Sequence, residues 1–498
     1  MYIYGILFSC HFFTERIKNA IIDRTDDLKM KRNTKDMNEM TQTNTTQANP
    51  LGTEPVGQLL RRFAVPSIVA MLVNALYNMV DQIFIGHSIG ELGNAATNVA
   101  FPLTTSCTAL ALLFGIGAAS AFNLSMGRGE KDKALYYIGN AAVMMFGSGI
   151  VLFLIAELFL DPMLIFFGSP DNVLGLAREY VRIVAVGFPF LILTSGGAHL
   201  VRADGSPNYS MACNLTGALI NTILDPILIF GFKMGMTGAA LATITGQIIS
   251  AFLVFRYLRH YKAGPFTREH LRPRMIYLGY AMTLGMAQCF NQLAMMLVQI
   301  VMNNSLRHYG ALSVYGEAIP LACSGIINKV SFMFFAFCIG IAQGMQPIAS
   351  FNYGAKNYDR VKKVIFLSLS AGQIICITAF CLFQIFPLQI TALFGNGSDL
   401  YFSFAERYFR IYLFFTFINN LQPMSSTFFS SIGKPKKGTF LSLTRQIIFL
   451  LPLLVILPLF LGIDGIMYAG PIADCLAAVI SGIFLAGELK KMGAEAER

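Results

Sequence analysis

Apolar stretches separated by short polar segments recur along the chain from residue 55 onward. A helix needs roughly 20 apolar residues to cross the hydrocarbon core of a bilayer. The pattern therefore predicts an all-α polytopic membrane protein that lies in a lipid bilayer and has twelve transmembrane helices. We place these helices near residues 60–86, 95–124, 134–158, 181–201, 208–231, 236–258, 275–303, 315–350, 361–385, 404–431, 437–460 and 464–487.

The composition narrows the function classes. Of 498 residues, 55% are hydrophobic and 13% are charged, against about 25% charged residues in soluble domains. The nine cysteines form no CxxC motif and no cluster with histidine, so disulfides and a transition-metal site are not expected. No GxxxxGK[ST] loop occurs, which argues against an ATP-driven motor. No nucleophile–base constellation is visible, so we expect neither enzymatic activity nor a cofactor.

The net charge of +10 has a use in membrane topology. Lysine and arginine concentrate in every second loop, and such loops face the cytoplasm. The sequence therefore predicts a multi-pass protein of the bacterial inner (cytoplasmic) membrane with both termini cytoplasmic. Because membrane topology accounts for the positive charge, we expect no nucleic-acid partner. We also expect the protein to be a monomer.

The chain also repeats itself. The string AREYVR at residues 177–182 returns as AERYFR at 405–410, and DGSP at 204–207 returns as IGKP at 432–435, each 228 positions later. Six helices per repeat is an even number, so both halves cross the membrane in the same direction and enclose a central cleft. The sequence therefore predicts five segments: an N-terminal extension, disordered or upstream of the true start (1–54), an N-lobe with helices 1–6 (55–258), a cytoplasmic linker (259–274), a C-lobe with helices 7–12 (275–490) and a cytoplasmic tail (491–498).

Polar residues within the predicted spans are candidates for function, because a charge in the bilayer core is unfavourable. Asp81 on helix 1, Asp225 on helix 5 and Thr243 on helix 6 each lie five to seven residues from the outer end of their helix, and therefore at one depth. Asn221 precedes Asp225 by one helical turn on the same face. Pro226 has no N–H and removes the partner of the Thr222 carbonyl. These oxygens predict a cation-binding or coupling site, with hydrogen bonds between helices as the alternative.

Further polar residues could line the cleft or bond to neighbouring helices. On helices 1 and 7 they are Asn74, Tyr77, Asn78, Gln288, Gln292, Met295 and Gln299. The C-lobe holds a candidate ionisable network of Glu317, Lys329, Arg445 and Asp474. Two acids and two bases can neutralise one another, and Lys329 is either a partner of Glu317 or Asp474 or a residue of the cleft.

Four strings together resemble the multidrug and toxic compound extrusion (MATE) transporters, and are most similar to the MepA-like bacterial branch. They are VPSIVAMLVNALYNMVDQIFIG (65–86), GRGEKDKA (127–134), RADGSPNYSMACNLTGALINTILDPILIFGFKMGMTGAALAT (202–243) and GMQPIASFNYGAKNYDRVKK (344–363).

The resemblance covers about residues 55–490 and implies alternating-access export of amphipathic, often cationic small molecules in exchange for Na⁺ or H⁺. It implies that Asp81, Asn221, Asp225 and Thr243 correspond to the residues of the N-lobe cation site found in some of these relatives. Other relatives use carboxylates on helices 7 and 10, and neither helix carries an acid inside the membrane here.

Two other functions remain open at this point. A lipid-linked oligosaccharide flippase or a narrow metabolite exporter of the same superfamily would share the architecture. The flippase would favour a larger and more cationic cleft, and few Lys or Arg residues are predicted near the middle of the membrane.

Overall fold

The computed structural model describes residues 49–167, 169, 171–394 and 398–496. All regular elements within these ranges are helical, which confirms the predicted all-α membrane fold. Most of the predicted N-terminal extension, residues 1–48, lies outside the described residues, as do the last two residues of the predicted tail. Of residues 1–53, the described part is a short helical turn, Pro50–Thr53, and Asn49 Oδ1 accepts a hydrogen bond from the Leu51 amide (3.0 Å).

The helices fall into two consecutive sets. The first set is α1 Val56–Ile89, α2 Glu91–Gly127, α3 Lys131–Leu158, α4 Leu160–Phe166, α5 Asp171–Val186, α6 Phe188–Ala203, α7 Pro207–Pro226 and α8 Gly235–Arg259. The second set is α9 Met275–Ala311, α10 Ala318–Gly354, α11 Tyr358–Ile385, α12 Pro387–Ala392, α13 Asp399–Tyr412, α14 Leu421–Ser431, α15 Pro435–Leu443, α16 Leu451–Leu461 and α17 Ile463–Ala496.

Two of the twelve predicted spans are broken helices rather than continuous ones. Within the described ranges, ten helices are long and apolar enough to cross a membrane, and α5 and α6, bent by 56° at a short break, meet the same criteria as a pair. The predicted tenth span, 404–431, is divided into α13, a 3-10 turn at Thr416–Ile418 and α14. Pro189 and Pro423 stand in the first turns of α6 and α14. Because proline has no N–H, the carbonyl four residues earlier loses its helical partner, which favours a kink or break at each of these positions.

Each set of helices has its own apolar core. One core is built from residues between Ile85 and Ala263, and the first turns of α9 add Leu278 and Ala281 to it. The other core runs from Val298 to Ala473. The part of the chain from Glu54 onward therefore contains two lobes, as the internal repeat predicts.

The lobes meet where glycine allows two helix backbones to touch. A Cβ on Gly285 of α9 would lie 1.9 Å from the Leu113 carbonyl oxygen of α2, and one on Gly117 would lie 2.0 Å from the Ala281 carbonyl oxygen. Side chains larger than hydrogen do not fit at such distances. The contact therefore depends on glycine at both positions.

The same contact is repeated between α10 and α1. A Cβ on Gly340 would lie 2.6 Å from the Ile68 side chain, and one on Gly344 would lie 2.6 Å from the Ala64 Cα. Gly117 and Gly344 are 227 residues apart, so each repeat contributes an equivalent contact. All these contacts lie toward the end that holds the start of α1 and the end of α2, and we call it the closed end.

Left-handed backbone positions mark the repeat as well. Gly205 (φ 78°) and Gly433 (φ 77°) occupy equivalent turns, as do Gly235 (φ 54°) and Gly462 (φ 58°). The glycines matched in the sequence therefore share a conformation that L side chains rarely adopt.

The predicted linker, residues 259–274, packs against α3 instead of hanging free. His270 is buried, its Nε2 lies 3.1 Å from Asp132 Oδ1, and its carbonyl accepts a hydrogen bond from Asn140 Nδ2 (3.0 Å). Asn140 Oδ1 in turn accepts from the Arg274 amide (2.6 Å). The linker is thus fixed to the N-lobe up to the first residue of the C-lobe.

We expect Gly285→Leu to destabilise the protein by about 1–3 kcal/mol, because the side chain would force α9 away from α2. Gly279→Leu is the matched control on the same helix, since a Cβ at Gly279 meets nothing within 4 Å. Thermal unfolding of the detergent-solubilised variants measures the difference. Equal melting temperatures for the two variants would contradict this account of the lobe contact.

Candidate functional site

The structure brings the predicted N-lobe residues together around Asn221. Its Nδ2 donates toward Asp225 Oδ1 and toward Thr243 Oγ1, each at 3.3 Å. Asp225 is fully buried and Asn221 is 3% exposed. The amide thus joins α7 to α8 at the level of the carboxylate.

Asp81 of α1 completes the site from the third helix. Its carboxyl group lies close to that of Asp225. Asp81 Oδ1, Asn221 Oδ1 and Asp225 Oδ2 are buried, and no donor among the described residues bonds to them. The site therefore has several hydrogen-bond acceptors and few hydrogen-bond donors.

Local sequence explains why these groups meet. Gly217 of α7 and Gly246 of α8 pack backbone to backbone, because a Cβ on Gly246 would lie 2.6 Å from the Gly217 carbonyl oxygen. This close approach sets Asn221, one turn after Gly217, beside Thr243. After Pro226 the helix widens into a π turn, Ile227–Gly231. π turns are frequent at functional sites. That the Thr222 carbonyl takes part remains a prediction.

One residue of the site was not predicted. Tyr180 of α5 is buried and lies close to Thr243, Tyr77 and both aspartates. It falls one residue before the predicted fourth span. The only sequence signal was its recurrence as Tyr408 in the second repeat.

A cavity of about 90 Å³ opens beside the site, within the N-lobe. One water molecule takes up about 30 Å³ of liquid volume, so the space admits about three waters. Its lining includes Met71, Asn74, Tyr77, Asn221, Thr243 and Gln247. The predicted cleft residues Asn74 and Tyr77 therefore face the same space as the cation-site candidates.

The other predicted cleft residues divide into two kinds. Asn78 is exposed on α1 and donates to the Asn74 carbonyl (2.7 Å), while Met295 is 42% exposed on α9. Gln288 instead donates to Thr427 Oγ1 (3.0 Å) and fastens α9 to α14.

Gln299 donates to Asn303 Oδ1 (2.9 Å) and accepts from Asn328 of α10 (3.2 Å). For Gln292, which is half-buried, the structure adds nothing to the prediction.

The predicted C-lobe network does not form as one network. Glu317 pairs with Arg307 (2.8 Å) just before α10 begins. Asp474 pairs with Arg445 (2.5 Å), and its other oxygen accepts from Asn419 (3.2 Å).

Lys329 has an exposed side chain and is in no ion pair among the described residues. Asp474 thus pairs with Arg445, one of the two predicted bases, whereas Glu317 pairs with Arg307. Arg307, which lies ten residues before Glu317, is the partner that the sequence reasoning left out.

The N-lobe site suits a hard monovalent cation or a proton. Two carboxylates, an amide oxygen and a hydroxyl are ligands that hard cations prefer. Acceptor oxygens without donors are unfavourable when buried, and either cation would satisfy them. Over the described residues, no group of three or more His, Cys, Asp and Glu could hold a metal ion.

The fold is shared with solved transporters. A MOP superfamily transporter from Pyrococcus furiosus, described as having a binding pocket of reverse polarity, matches with a TM-score of 0.83 at 20% identity, over 91% of this chain and 100% of that one. An outward-facing multidrug resistance MATE family transporter matches with a TM-score of 0.83 at 20% identity, over 90% of this chain and 99% of that one.

Curated relatives and a family model identify the chain. The multidrug export protein MepA of Staphylococcus aureus (strain MSSA476) is 24% identical over 429 residues, which cover 85% of this chain and 92% of the relative. MepA of Staphylococcus saprophyticus is 23% identical over 426 residues, which cover 84% and 91%. The family model MatE matches residues 66–227 and 287–456, more than half of the chain. This multi-pass membrane protein is therefore a member of the MatE family of transporters.

Proposed function

We propose that the protein exports amphipathic small molecules from the cell in exchange for Na⁺ or H⁺, by alternating access of the cleft between its two lobes. The observation that carries the proposal is the set of three buried oxygens without donors on Asp81, Asn221 and Asp225. The relatives named multidrug export proteins support the export of drugs. They do not favour a flippase or a narrow metabolite exporter.

Coupling follows from the electrostatics of the two carboxylates. Two neighbouring carboxylates in a buried site repel when both are charged. A proton or Na⁺ between Asp81 and Asp225 removes that repulsion and holds α1 against α7. Loss of the cation would push α1 away from α7.

The movement of α1 reaches the other lobe directly. The inner part of α1 packs against α10 through Ala64 and Gly344, while its outer part carries Asp81. A cation at Asp81 therefore acts on the helix that also forms the lobe contact. A ligand shifts such an equilibrium only when it binds one state more tightly, and the cation does so by requiring α1 to stay beside α7.

The described state matches a cleft open to the outside. The closed end holds the start of α1, which the loop charges assign to the cytoplasm. At the opposite end, α1 and α10 expose polar side chains such as Asn78 and Lys329. We place the protein in the bacterial inner membrane as a monomer with both termini cytoplasmic.

We expect Asp81→Asn and Asp225→Asn each to lower export of a fluoroquinolone by at least about tenfold, because a buried charged interaction is worth about 1.5–3 kcal/mol. Export is measured in cells that lack their main efflux pumps, at equal expression. Glu317→Gln is the matched carboxylate control, since Glu317 lies exposed beside Arg307 outside the site. Full export by both aspartate variants would rule out the coupling role.

The coupling ion is identified in proteoliposomes by imposing a Na⁺ gradient or a pH gradient separately. For a sodium antiporter, Thr243→Val should raise the Na⁺ concentration for half-maximal export about tenfold, because it removes one ligand oxygen, and Thr243→Ser should not. A proton antiporter should work without Na⁺ and stop when the pH gradient is collapsed. Export that responds to neither gradient would contradict antiport.

A further inference from the structure

Lys329 lies on the face of α10 that points toward the other lobe. A helix turns 100° per residue, so Lys329 and Gly340, eleven residues apart, point within about 20° of each other. Gly340 contacts Ile68 of α1. The neighbouring residue Asn328 reaches Gln299 of α9 (3.2 Å). Lys329 therefore points between α1 and α9, the two helices that line the cleft.

Exposure along this face changes from one end to the other. Ala322 and Lys329 are exposed, whereas Ala336 and Gly340 farther along the same stripe are buried. This face of α10 is thus buried at Ala336 and Gly340, where the lobes are in contact, and exposed at Ala322 and Lys329, where they are apart. A lysine turned toward hydrocarbon would be strongly unfavourable. The open part of the stripe belongs to the cleft.

The acids of the C-lobe do not neutralise Lys329. Glu317 is held by Arg307 and Asp474 by Arg445. No carboxylate among the described residues lies within 4.0 Å of the Lys329 ammonium in an ion pair. The cation is left without a fixed counter-charge.

The depth of Lys329 is close to that of Asp81. Gly340 contacts Ile68 where the lobes meet. Lys329 lies eleven residues before Gly340 on α10, and Asp81 lies thirteen residues after Ile68 on α1. At 1.5 Å per residue these positions are about 16 and 20 Å from the contact. Asp81 and Lys329 are the charged residues of α1, α2, α9 and α10 that lie more than six positions from a helix end.

The two charges point in different directions. Asp81 faces Asp225 inside the N-lobe, whereas Lys329 faces the cleft. The polar groups near Lys329 are neutral amides: Asn328 and Gln299 on its own lobe, and the exposed Asn78 and Gln82 on α1 opposite. The charge that a substrate meets in the open cleft is therefore positive.

We propose that Lys329 selects substrates that carry an anionic group, so that the protein takes amphipathic carboxylates, sulfonates or phosphates, zwitterions among them. This rests on the proposed export function and names its substrate class. The ammonium supplies three N–H donors and a full charge to the anionic oxygens. The amides around it supply further donors, and the apolar walls of the cleft take the rest of the molecule.

The test compares a fluoroquinolone with its methyl ester, which differ by one carboxylate. Binding to the detergent-solubilised full-length protein is measured by calorimetry. Wild type should bind the carboxylate form more tightly than the ester. Lys329→Met should weaken binding of the carboxylate form about tenfold or more and change the ester by less than about twofold, since a hydrogen bond to a charged group contributes that much.

Two further variants control for folding and for overall charge. Lys329→Arg keeps the charge and should keep the preference for the carboxylate form. Lys490→Met removes one exposed lysine from the last turns of α17 and should leave both affinities unchanged. Unchanged ester binding by Lys329→Met shows that the variant is folded.

An unchanged ratio of the two affinities in Lys329→Met would overturn the proposal. Equal loss for the carboxylate form and the ester would overturn it as well, because the lysine would then support the cleft without selecting charge. The binding measurement needs no gradient. Failure of antiport, seen as full export by Asp225→Asn, is thus distinguishable from failure of charge selection.

Discussion

The buried oxygens of Asp81, Asn221 and Asp225 impose the constraint on which the N-lobe depends. Three helices meet at acceptor groups, and the one side-chain amide there already donates to Asp225 and Thr243. In the proposed exchange, a cation from outside the chain would satisfy these oxygens. The close approach of α7 and α8 at Gly217 and Gly246 keeps the oxygens together, so the fold maintains a site that its own groups do not satisfy.

The second lobe makes the equivalent helix contacts but has no equivalent of the Asp81 site among the described residues. The equivalent lobe contacts, Ala64 with Gly344 and Ala281 with Gly117, align α1 with α9 at an offset of 217 residues. Val298 then stands where α1 has Asp81, and it is buried in the C-lobe core. The buried acid of this lobe, Asp474, is neutralised by Arg445 within the π turn Thr444–Leu450. Among the described residues, the two repeats thus differ in that the N-lobe holds a buried pair of carboxylates, Asp81 and Asp225, whereas the buried acid Asp474 of the C-lobe is paired with an arginine.

Much of this arrangement could be read from the sequence, because helices are regular. Counting residues from the helix ends placed Asp81, Asp225 and Thr243 at one depth, and the four-residue spacing placed Asn221 beside Asp225. Tyr180 was missed because hydropathy started the fourth span at residue 181, whereas the structure has a separate helix, α5, before a bend of 56°. Hydropathy averages over such a bend and does not detect it. Arg445, the partner of Asp474, belonged to the predicted set, whereas Arg307, the partner of Glu317, did not, because pairing depends on which side chains face each other.

The opposite signs of Lys329 and Asp81 have an energetic consequence. In the proposed exchange, the N-lobe site carries a cation inward, and the cleft that contains Lys329 carries an anionic substrate outward. Both movements transfer positive charge into the cell, so an interior-negative membrane potential drives each of them. Each elementary charge contributes about 2.3 kcal/mol per 100 mV. For a substrate with a net negative charge, such a transporter would be electrogenic in both halves of its cycle, whereas for a zwitterion only the inward movement of the cation would be electrogenic. In either case the voltage alone could sustain export when the ion concentrations on the two sides are equal.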